Sequence, residues 1–219
     1  MKKLSTSKQM AINMVAAIVS FLIGTGINFV LAPYLVKELG SETYGFIGLA
    51  NNFVQYATIV TSALNSMSGR FISIEYSKGN IDKASRYFSS VLVADLIIAG
   101  VLLLVSSIIT FNIEFILNVP ENLVDSVKIL FALTFATFII SVITAIFTTA
   151  AFVKNKLYIN SLRDIASNTL KLLLVVILFS FFPAKVYFLA MASLASGIFL
   201  LLTNIKVKNK IPVSYTHLR

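Results

Sequence analysis

The sequence contains no cysteine, and its single histidine, His217, lies close to the last residue. Without cysteine the chain can form no disulfide, no thiolate nucleophile and no cysteine-ligated metal site. One histidine without cysteine disfavours a metal centre, so we expect neither a metal nor another cofactor. The sequence also lacks paired carboxylates, a Ser/His/Asp arrangement and a glycine-rich phosphate loop. These absences disfavour an enzyme.

Charged residues make up only 12% of the chain, whereas hydrophobic residues make up 58% and the mean hydropathy is +0.89. A soluble domain of this length could not bury so much apolar surface. The apolar residues form six long runs, at Met10–Val36, Tyr44–Ser66, Phe88–Phe111, Val127–Val153, Ile165–Phe182 and Val186–Ile205. About 20 helical residues cross a hydrocarbon core about 30 Å thick. We therefore predict an all-α membrane protein with six transmembrane helices in residues 1–205, followed by a tail in residues 206–219.

The net charge of +9 could indicate nucleic-acid binding, but the charges are placed as in a membrane protein. Alternate loops hold most of the basic residues, namely Lys2, Lys3, Lys8, Arg70, Lys78, Lys83, Arg86, Lys154, Lys156, Arg163, Lys206, Lys208 and Lys210. The other loops are mainly acidic, with Glu38, Glu42, Glu114, Glu121 and Asp125 beside Lys37, Lys128 and Lys185. Because basic loops stay inside, we predict that both termini are cytoplasmic. The basic side then faces anionic membrane lipids, and no nucleic acid is expected as a partner.

Polar residues recur on one face of the second run. The members are Asn51, Asn52, Gln55, Thr58, Ser62, Asn65, Gly69 and, at the cytoplasmic end, Arg70. Spacings of three and four place most of these residues on one side of a helix. In lipid such a face must turn toward water or toward other helices. Both a hydrated substrate cavity and polar contacts between helices remain open for it, and Arg70 could instead mark the membrane boundary.

Three other runs carry similar rows. The fourth has Thr134, Thr137, Ser141, Thr144 and Thr148; the fifth has Ser161, Asp164, Asn168 and Lys171; and the first has Ala16, Ser20, Gly24 and Asn28. Hydroxyl groups often bond to carbonyls of their own helix, and we favour that interpretation for the fourth run. The small residues of the first run predict close approach of a neighbouring helix. The amides Asn28 and Asn168 and the carboxylate Asp164 are further candidates for a cavity.

Two ionisable residues, Lys171 and Asp95, lie within the predicted spans. A charge near a helix centre costs about 2.5–3.5 kcal/mol for insertion, so such residues usually pair or line a polar path. Lys171 could line a cavity, or its side chain could extend to the cytoplasmic headgroups. Asp95 is a candidate for ion coupling, although we prefer a structural hydrogen bond to a neighbouring helix.

Short polar segments connect the runs. We predict a tight turn around Gly40, a turn at Gly79–Asn80 flanked by short helical pieces, and a tight hairpin at Phe182–Lys185. The segment Asn112–Ser126 is acidic and contains Pro120, and we expect it to form a loop on the outer side.

The stretch Tyr34–Gly45, which reads YLVKELGSETYG, resembles the first outer loop of the polysaccharide or O-antigen flippases. These proteins export lipid-linked oligosaccharides and belong to the multidrug/oligosaccharidyl-lipid/polysaccharide superfamily. The family often has an aromatic residue and leucine, a basic residue, Leu-Gly, an acidic residue and Tyr-Gly, and Lys37 occupies the basic position. Ser68–Ser73 and Lys78–Asn80 also resemble the family's segment after its second helix.

This resemblance implies a lobe of six helices that pairs with a second lobe around a central cavity. It implies alternating access that moves an undecaprenyl-diphosphate-linked glycan from the inner to the outer leaflet of a bacterial plasma membrane. Hydroxyl and amide groups suit sugars, whereas Lys171 and Arg70 are the cations available for the diphosphate.

The chain departs from the family in length, because members usually have twelve or more helices. Repeat architectures bind substrate between their repeats, so a single lobe would lack half of the cavity. The last nine residues, IPVSYTHLR, resemble translated sequencing-adapter read-through. We therefore predict that residues 211–219 are non-native and that the chain is a truncated fragment. A native six-helix protein that forms a homodimer is the alternative.

Two other functions remain open at this stage. A drug or cation antiporter of the same superfamily would use a carboxylate such as Asp95 to couple export to protons or sodium. A membrane enzyme or an assembly subunit is a third possibility. The motif around Lys37 favours the flippase.

The predicted topology can be tested with single cysteines, because the chain has none of its own. In intact cells a membrane-impermeant thiol reagent should label Asn122→Cys, and it should label Ser77→Cys only after the membrane is opened. The asymmetry of Lys and Arg is the physical reason for this expectation. Labelling of Ser77→Cys in intact cells would contradict the predicted orientation.

Overall fold

The computed structural model describes residues 6–153 and 155–210, and it describes their side chains except at residues 6, 60, 63–65, 67–68, 149–150, 152–153 and 207–210. The predicted non-native segment 211–219 lies outside the described residues. The helices are α1 (Thr6–Leu39), α2 (Ser41–Ser77), α3 (Ile81–Phe111), the short α4 (Ile113–Ile116), α5 (Val124–Val153), α6 (Tyr158–Phe181) and α7 (Phe188–Lys210). A 3₁₀ turn at Glu121–Leu123 precedes α5. The described part of the chain contains no strand, as the apolar runs predict.

The predicted turns occur where glycine permits an unusual backbone. Gly40 has φ of 80° and is the only residue between α1 and α2, and Gly79 has the same φ between α2 and α3. Other residues rarely adopt this conformation, which explains why the chain turns at these glycines. The short helical pieces predicted around Gly79 are wrong, because α2 and α3 continue without interruption up to this turn.

Five helices of the described chain are long and apolar enough to cross a membrane. They are Ser7–Leu39, Ile81–Phe111, Glu121–Thr148, Tyr158–Phe181 and Phe188–Lys206. The sixth long helix, α2, has 37 residues but is not one of these five. Its apolar sequence is interrupted by Asn51, Asn52 and Gln55. A sixth span therefore remains a prediction.

The long helices form a ring. α1 packs along α6, α6 along α7, and α7 along α5; α5 also packs along α2 and α3, which pack on each other. α1 and α2 have only limited contact, although Gly40 joins them. Two apolar clusters lie toward the end of the bundle that contains Gly40: one joins α2, α5 and α7 around Phe131, and the other joins α1, α6 and α7 around Leu35. A third cluster, around Ile72, joins α2, α3 and α5 near Gly79.

The outside of the bundle is apolar. Large hydrophobic side chains are exposed along the helices, including Phe29 (81%), Phe111 (74%) and Phe181 (78%). A soluble protein rarely leaves so much continuous apolar surface in water. Together with the five long apolar helices, this surface indicates that the bundle is surrounded by lipid.

The row of small residues on α1 contacts α6 at Gly24, which confirms there the predicted close approach of a neighbouring helix. Ser20 is buried, and a β-carbon added to Gly24 would lie 3.3 Å from Nδ2 of Asn168. Gly26, two residues further along α1, is exposed and has nothing within 4 Å of that position. Gly24 thus allows the close contact between α1 and α6, whereas Gly26 faces away from it.

A buried asparagine fixes α1 to the α5–α6 connection. The Nδ2 atom of Asn13 donates to the carbonyl oxygen and to Oδ1 of Asn155, at 3.0 and 2.9 Å, and the backbone N–H of Tyr158 donates to Oδ1 of Asn13 at 3.1 Å. Nearby, Arg163 of α6 donates to Asn204 of α7. These bonds hold α1, α6 and α7 together at the end of the bundle opposite Gly40.

Leucine at position 24 should destabilise the protein, because its side chain would enter the contact with Asn168. We expect the free energy of unfolding to fall by about 1–3 kcal/mol, the usual cost of overpacking a close contact. Gly26→Leu is the matched control, since it adds the same side chain to an open position. The thermal unfolding midpoint in detergent, measured at equal protein concentration, should fall for Gly24→Leu alone. Equal midpoints for the two variants would contradict close packing of α1 on α6 at Gly24.

Candidate functional site

A cavity of about 610 Å³ lies between the helices. Its lining residues are Asn28, Leu31, Ala32 and Leu35 of α1; Tyr44, Ile47, Asn51, Val54 and Thr58 of α2; Leu130, Thr134, Thr137, Phe138 and Ser141 of α5; Lys171 of α6; and Leu189, Ala190 and Ser193 of α7. The members from the apolar clusters lie toward Gly40, and the polar members lie nearer the middle of the helices. The cavity therefore has an apolar end and a polar middle.

Lys171 provides the only charge among these lining residues. Its Nζ atom donates to Oδ1 of Asn28 on α1, at 3.1 Å. Lys171 lies ten residues before Phe181, the last residue of α6, which corresponds to about 15 Å along the helix. The pair therefore lies at mid-length, and the Lys171 ammonium bonds to α1 there instead of extending toward the Tyr158 end of α6, as the predicted snorkelling would require.

The hydroxyl groups of α5 bond to their own helix and also face the cavity. Thr134, Thr137 and Thr144 donate to carbonyls four residues earlier, and Ser141 and Thr148 donate to carbonyls three residues earlier, all at 2.7–2.8 Å. This confirms the prediction of bonds within the helix. Thr134, Thr137 and Ser141 line the cavity at the same time, so their lone pairs remain available to a polar ligand.

The polar face of α2 continues beyond this cavity. A second, more open groove of about 470 Å³ is lined by Asn51, Val54, Gln55, Thr58, Ile59 and Ser62. Asn51, Val54 and Thr58 line both spaces, which makes the groove an extension of the cavity along α2. The expected face thus exists over Asn51–Ser62, although it also includes the apolar Ile59.

The remaining candidates lie in several places. Asn168 is beside Gly24 in the α1–α6 contact, one helical turn from Lys171. Asn52, Arg70 and Asp164 are exposed and line neither space, and the side chain of Asn65 lies outside the described residues.

Asp95 is fully buried on α3, the long helix that contributes no residue to the cavity. The candidate for ion coupling is therefore separate from the cavity that contains Lys171.

Two polar lining residues, Tyr44 and Ser193, were not among the residues predicted from the sequence. Ser193 lies three residues before Ser196, whose carbonyl oxygen accepts a hydrogen bond of 3.1 Å from the buried hydroxyl of Ser167. This pair of serines on the sixth run could have indicated that its face meets other helices, because small polar residues are frequent where membrane helices meet. Tyr44 lies within the motif around Lys37, but nothing in the pattern indicated its direction.

The cavity offers binding groups without a catalytic arrangement among its lining residues. It combines one ammonium group with amide and hydroxyl groups from four helices, and no carboxylate lines it. Hydroxyls and amides can both donate and accept hydrogen bonds, as sugars do, whereas the ammonium only donates and attracts anions. Such a lining can hold a ligand that is polar and negatively charged.

Comparisons with known proteins agree with this description. Residues 10–215 match the family described as "Polysaccharide biosynthesis protein". The uncharacterized membrane protein EpsK of Bacillus subtilis (strain 168) is 33% identical over 187 residues, which cover 85% of this chain and 37% of EpsK. The chain therefore spans little more than a third of the length of this curated relative. No solved structure matches the chain. The sequence match extends over nearly the whole apolar bundle, and we conclude that this chain is a multi-pass membrane protein that belongs to the polysaccharide biosynthesis protein family.

Proposed function

We propose that the chain forms one lobe of a flippase that moves an undecaprenyl-diphosphate-linked oligosaccharide from the inner to the outer leaflet for surface polysaccharide biosynthesis. The observation that carries this proposal is the 610 Å³ cavity with Lys171 as its single charge and amides and hydroxyls around it. The membership in the polysaccharide biosynthesis protein family supports the same substrate class.

The chemistry of such a substrate matches the two parts of the cavity. The glycan is rich in hydroxyl groups and needs partners that both donate and accept, such as Asn51, Thr58 and Ser141. The diphosphate is anionic and needs a cation, which Lys171 provides. The lipid can remain beside the protein, because the bundle exposes apolar side chains along its length. Translocation then requires no covalent step, only movement of the polar part past a hydrated protein surface.

The antiporter is less well supported than the flippase. A carboxylate that couples drug export to an ion must exchange protons or sodium with the transport path. Asp95 is fully buried and lies on a helix that does not line the cavity. The cavity itself contains a cation, which would repel the cationic drugs that such antiporters export.

The assignment as one lobe rests on two observations. The chain spans 37% of EpsK, and α1 and α2, which both line the cavity, have only limited contact with each other. We propose that a second lobe completes the transport path, with a homodimer as the alternative, and that α2 is the sixth span. We place the protein in a bacterial plasma membrane with both termini in the cytoplasm, because loops rich in lysine and arginine stay on the cytoplasmic side of a membrane.

Hydration of the α2 face can be measured by cysteine reactivity. Cysteines at Asn51, Gln55 and Ser62 should react with a small water-soluble thiol reagent in membranes, because these positions line the cavity or its extension. Phe53→Cys should react at least several-fold more slowly, since Phe53 packs against Phe131 with ring centroids 5.8 Å apart. Equal rates at all four positions would contradict a hydrated cavity.

Export should depend on the charge of Lys171. The natural gene that encodes this chain would be expressed in a strain that lacks its own flippase, and surface glycan would be normalised to protein level. We expect Lys171→Gln to lose most export, because the diphosphate loses its cation, and Lys171→Arg to retain part of it. Lys185→Gln is the matched control, since Lys185 is exposed in the α6–α7 turn.

Three results would decide against parts of this proposal. Normal surface glycan with Lys171→Gln would remove Lys171 from the substrate site. Equal losses with Lys171→Gln and Lys185→Gln would indicate a general effect of positive charge. Failure of the natural gene to restore any glycan, with normal insertion, would contradict the flippase itself.

A further inference from the structure

We propose that Asn28 sets the charge selectivity of the cavity, because its amide oxygen holds the Lys171 ammonium in the cavity without neutralising it. This inference rests on the proposed function only in taking a diphosphate as the anion that Lys171 would bind. The electrostatic role itself follows from the geometry of α1 and α6 and can be tested without a substrate. Asn28 is thus a positioning residue that acts through Lys171.

An isolated lysine in this position would not stay there. Its flexible side chain has four rotatable bonds, and an ammonium in a membrane gains free energy by extending toward headgroups. The 3.1 Å bond to Oδ1 of Asn28 provides a local partner at mid-length instead. It directs Nζ toward α1 and keeps the ammonium in the cavity.

The partner of Lys171 is neutral. Membrane proteins often pair an intramembrane lysine with a carboxylate, which cancels the charge. Here no carboxylate lines the cavity, and the partner is an amide. The amide oxygen of Asn28 accepts one hydrogen bond from the Lys171 ammonium and leaves the other two ammonium protons and the full positive charge available to a ligand.

The close packing of α1 on α6 allows this contact between Asn28 and Lys171. Gly24 precedes Asn28 by one turn on α1, and Asn168 precedes Lys171 by nearly one turn on α6. The absence of a side chain on Gly24 lets Asn168 approach within 3.3 Å of the position of a β-carbon. The same face of each helix therefore brings Asn28 within hydrogen-bond distance of Lys171. A carboxylate at position 28 would have the same shape but the opposite effect, because it would neutralise the ammonium.

The experiment measures the electrostatic potential in the cavity. Because the chain contains no cysteine, Thr58→Cys introduces a single thiol into the cavity lining. The purified full chain in lipid nanodiscs would react with an anionic and with a cationic methanethiosulfonate reagent of similar size. The ratio of the two rates reports the local charge, and its value at Asn122→Cys, in the connection before α5, corrects for the intrinsic reactivity of the reagents.

Four variants in the Thr58→Cys background test the role of Asn28. With Asn28 and Lys171 unchanged, the corrected ratio should favour the anionic reagent. Asn28→Asp should lower it by about tenfold, the order expected when a unit charge that lines the same cavity is cancelled at an intermediate dielectric constant. Lys171→Gln should lower it by a similar factor. Asn28→Gln, which keeps an amide, should retain most of the preference, whereas Asn28→Leu should lose part of it because Lys171 is no longer held in place.

Each result has a definite meaning. An unchanged ratio in both Asn28→Asp and Asn28→Leu, together with a lower ratio in Lys171→Gln, would overturn the role of Asn28 and leave the cationic cavity intact. No anionic preference with both residues unchanged would overturn the inference and also remove the electrostatic basis of the proposed function. The expected ratios in a protein that fails to export glycan would support the inference while contradicting the flippase. The Asn122→Cys ratio should stay constant, because a general change in folding or net charge would alter it too.

Discussion

Hydrocarbon offers no hydrogen-bond partners, so every polar group within a bilayer must find one in the protein or in water. This constraint determines which way each face of the bundle points. Apolar side chains such as Phe29 and Phe181 are exposed on the outside, whereas the amide of Asn51 and the ammonium of Lys171 line the cavity between the helices. The cavity is the result of collecting these groups where water or a polar ligand can reach them.

Hydroxyls and amides meet the constraint in different ways. The hydroxyls of Thr134, Thr137 and Ser141 donate to their own helix, so they need no second partner to be tolerated in lipid. An amide has two donors and an acceptor that one helix seldom satisfies. Asn13 bonds to Asn155 in the α5–α6 connection and to the backbone N–H of Tyr158 at the start of α6. Asn28 accepts a hydrogen bond from Lys171. The amides therefore specify which helices lie together, whereas the α5 hydroxyls mainly make one wall of the cavity polar.

Small residues set the spacing of the helices that carry these groups. Gly24 allows α1 to approach α6, and a β-carbon on Gly197 of α7 would lie 3.7 Å from side chains of Ile140 and Thr137 on α5. Both contacts lie along the ring of helices. α1 and α2, in contrast, touch little apart from their turn at Gly40, although residues of both line the cavity. The wall between these two helices is thus the least closely packed part of the ring.

Much of the helical architecture could be predicted from the sequence, because the length of an apolar run and the position of glycine are local properties. Gly40 and Gly79 marked the turns, and the row through Gly24 marked a packed face. The extension of α2 to Ser77 could not be predicted, since helices project beyond the hydrocarbon when their polar ends are solvated. The bond between Asn13 and Asn155 joins residues 142 positions apart, and no periodic pattern indicates such a pairing.

The sequence pattern predicted which residues share one face of a helix, but it did not predict which of them line the cavity. Asp164 and Lys171 are seven residues apart and share a face, yet Asp164 is exposed near the start of α6 and only Lys171 lines the cavity. Periodicity gives the angle of a side chain around its helix axis, whereas the exposure of that side chain depends on the neighbouring helices. Ile59 lies four residues after Gln55 and therefore lines the same groove despite its apolar side chain.

The same distinction separates the two ionisable residues of the predicted spans. Asp95 and Lys171 are both far from the ends of their helices, so the cost of burying a charge applies to each. Asp95 is fully buried on a helix that contributes nothing to the cavity, and a ligand in the cavity could reach it only if the helices moved. Lys171 already faces the cavity and is held by a neutral partner. A passing anion can replace or share that partner without leaving a buried charge unpaired. Access to the cavity, rather than depth in the membrane, is what makes one of these residues suited to contact a substrate.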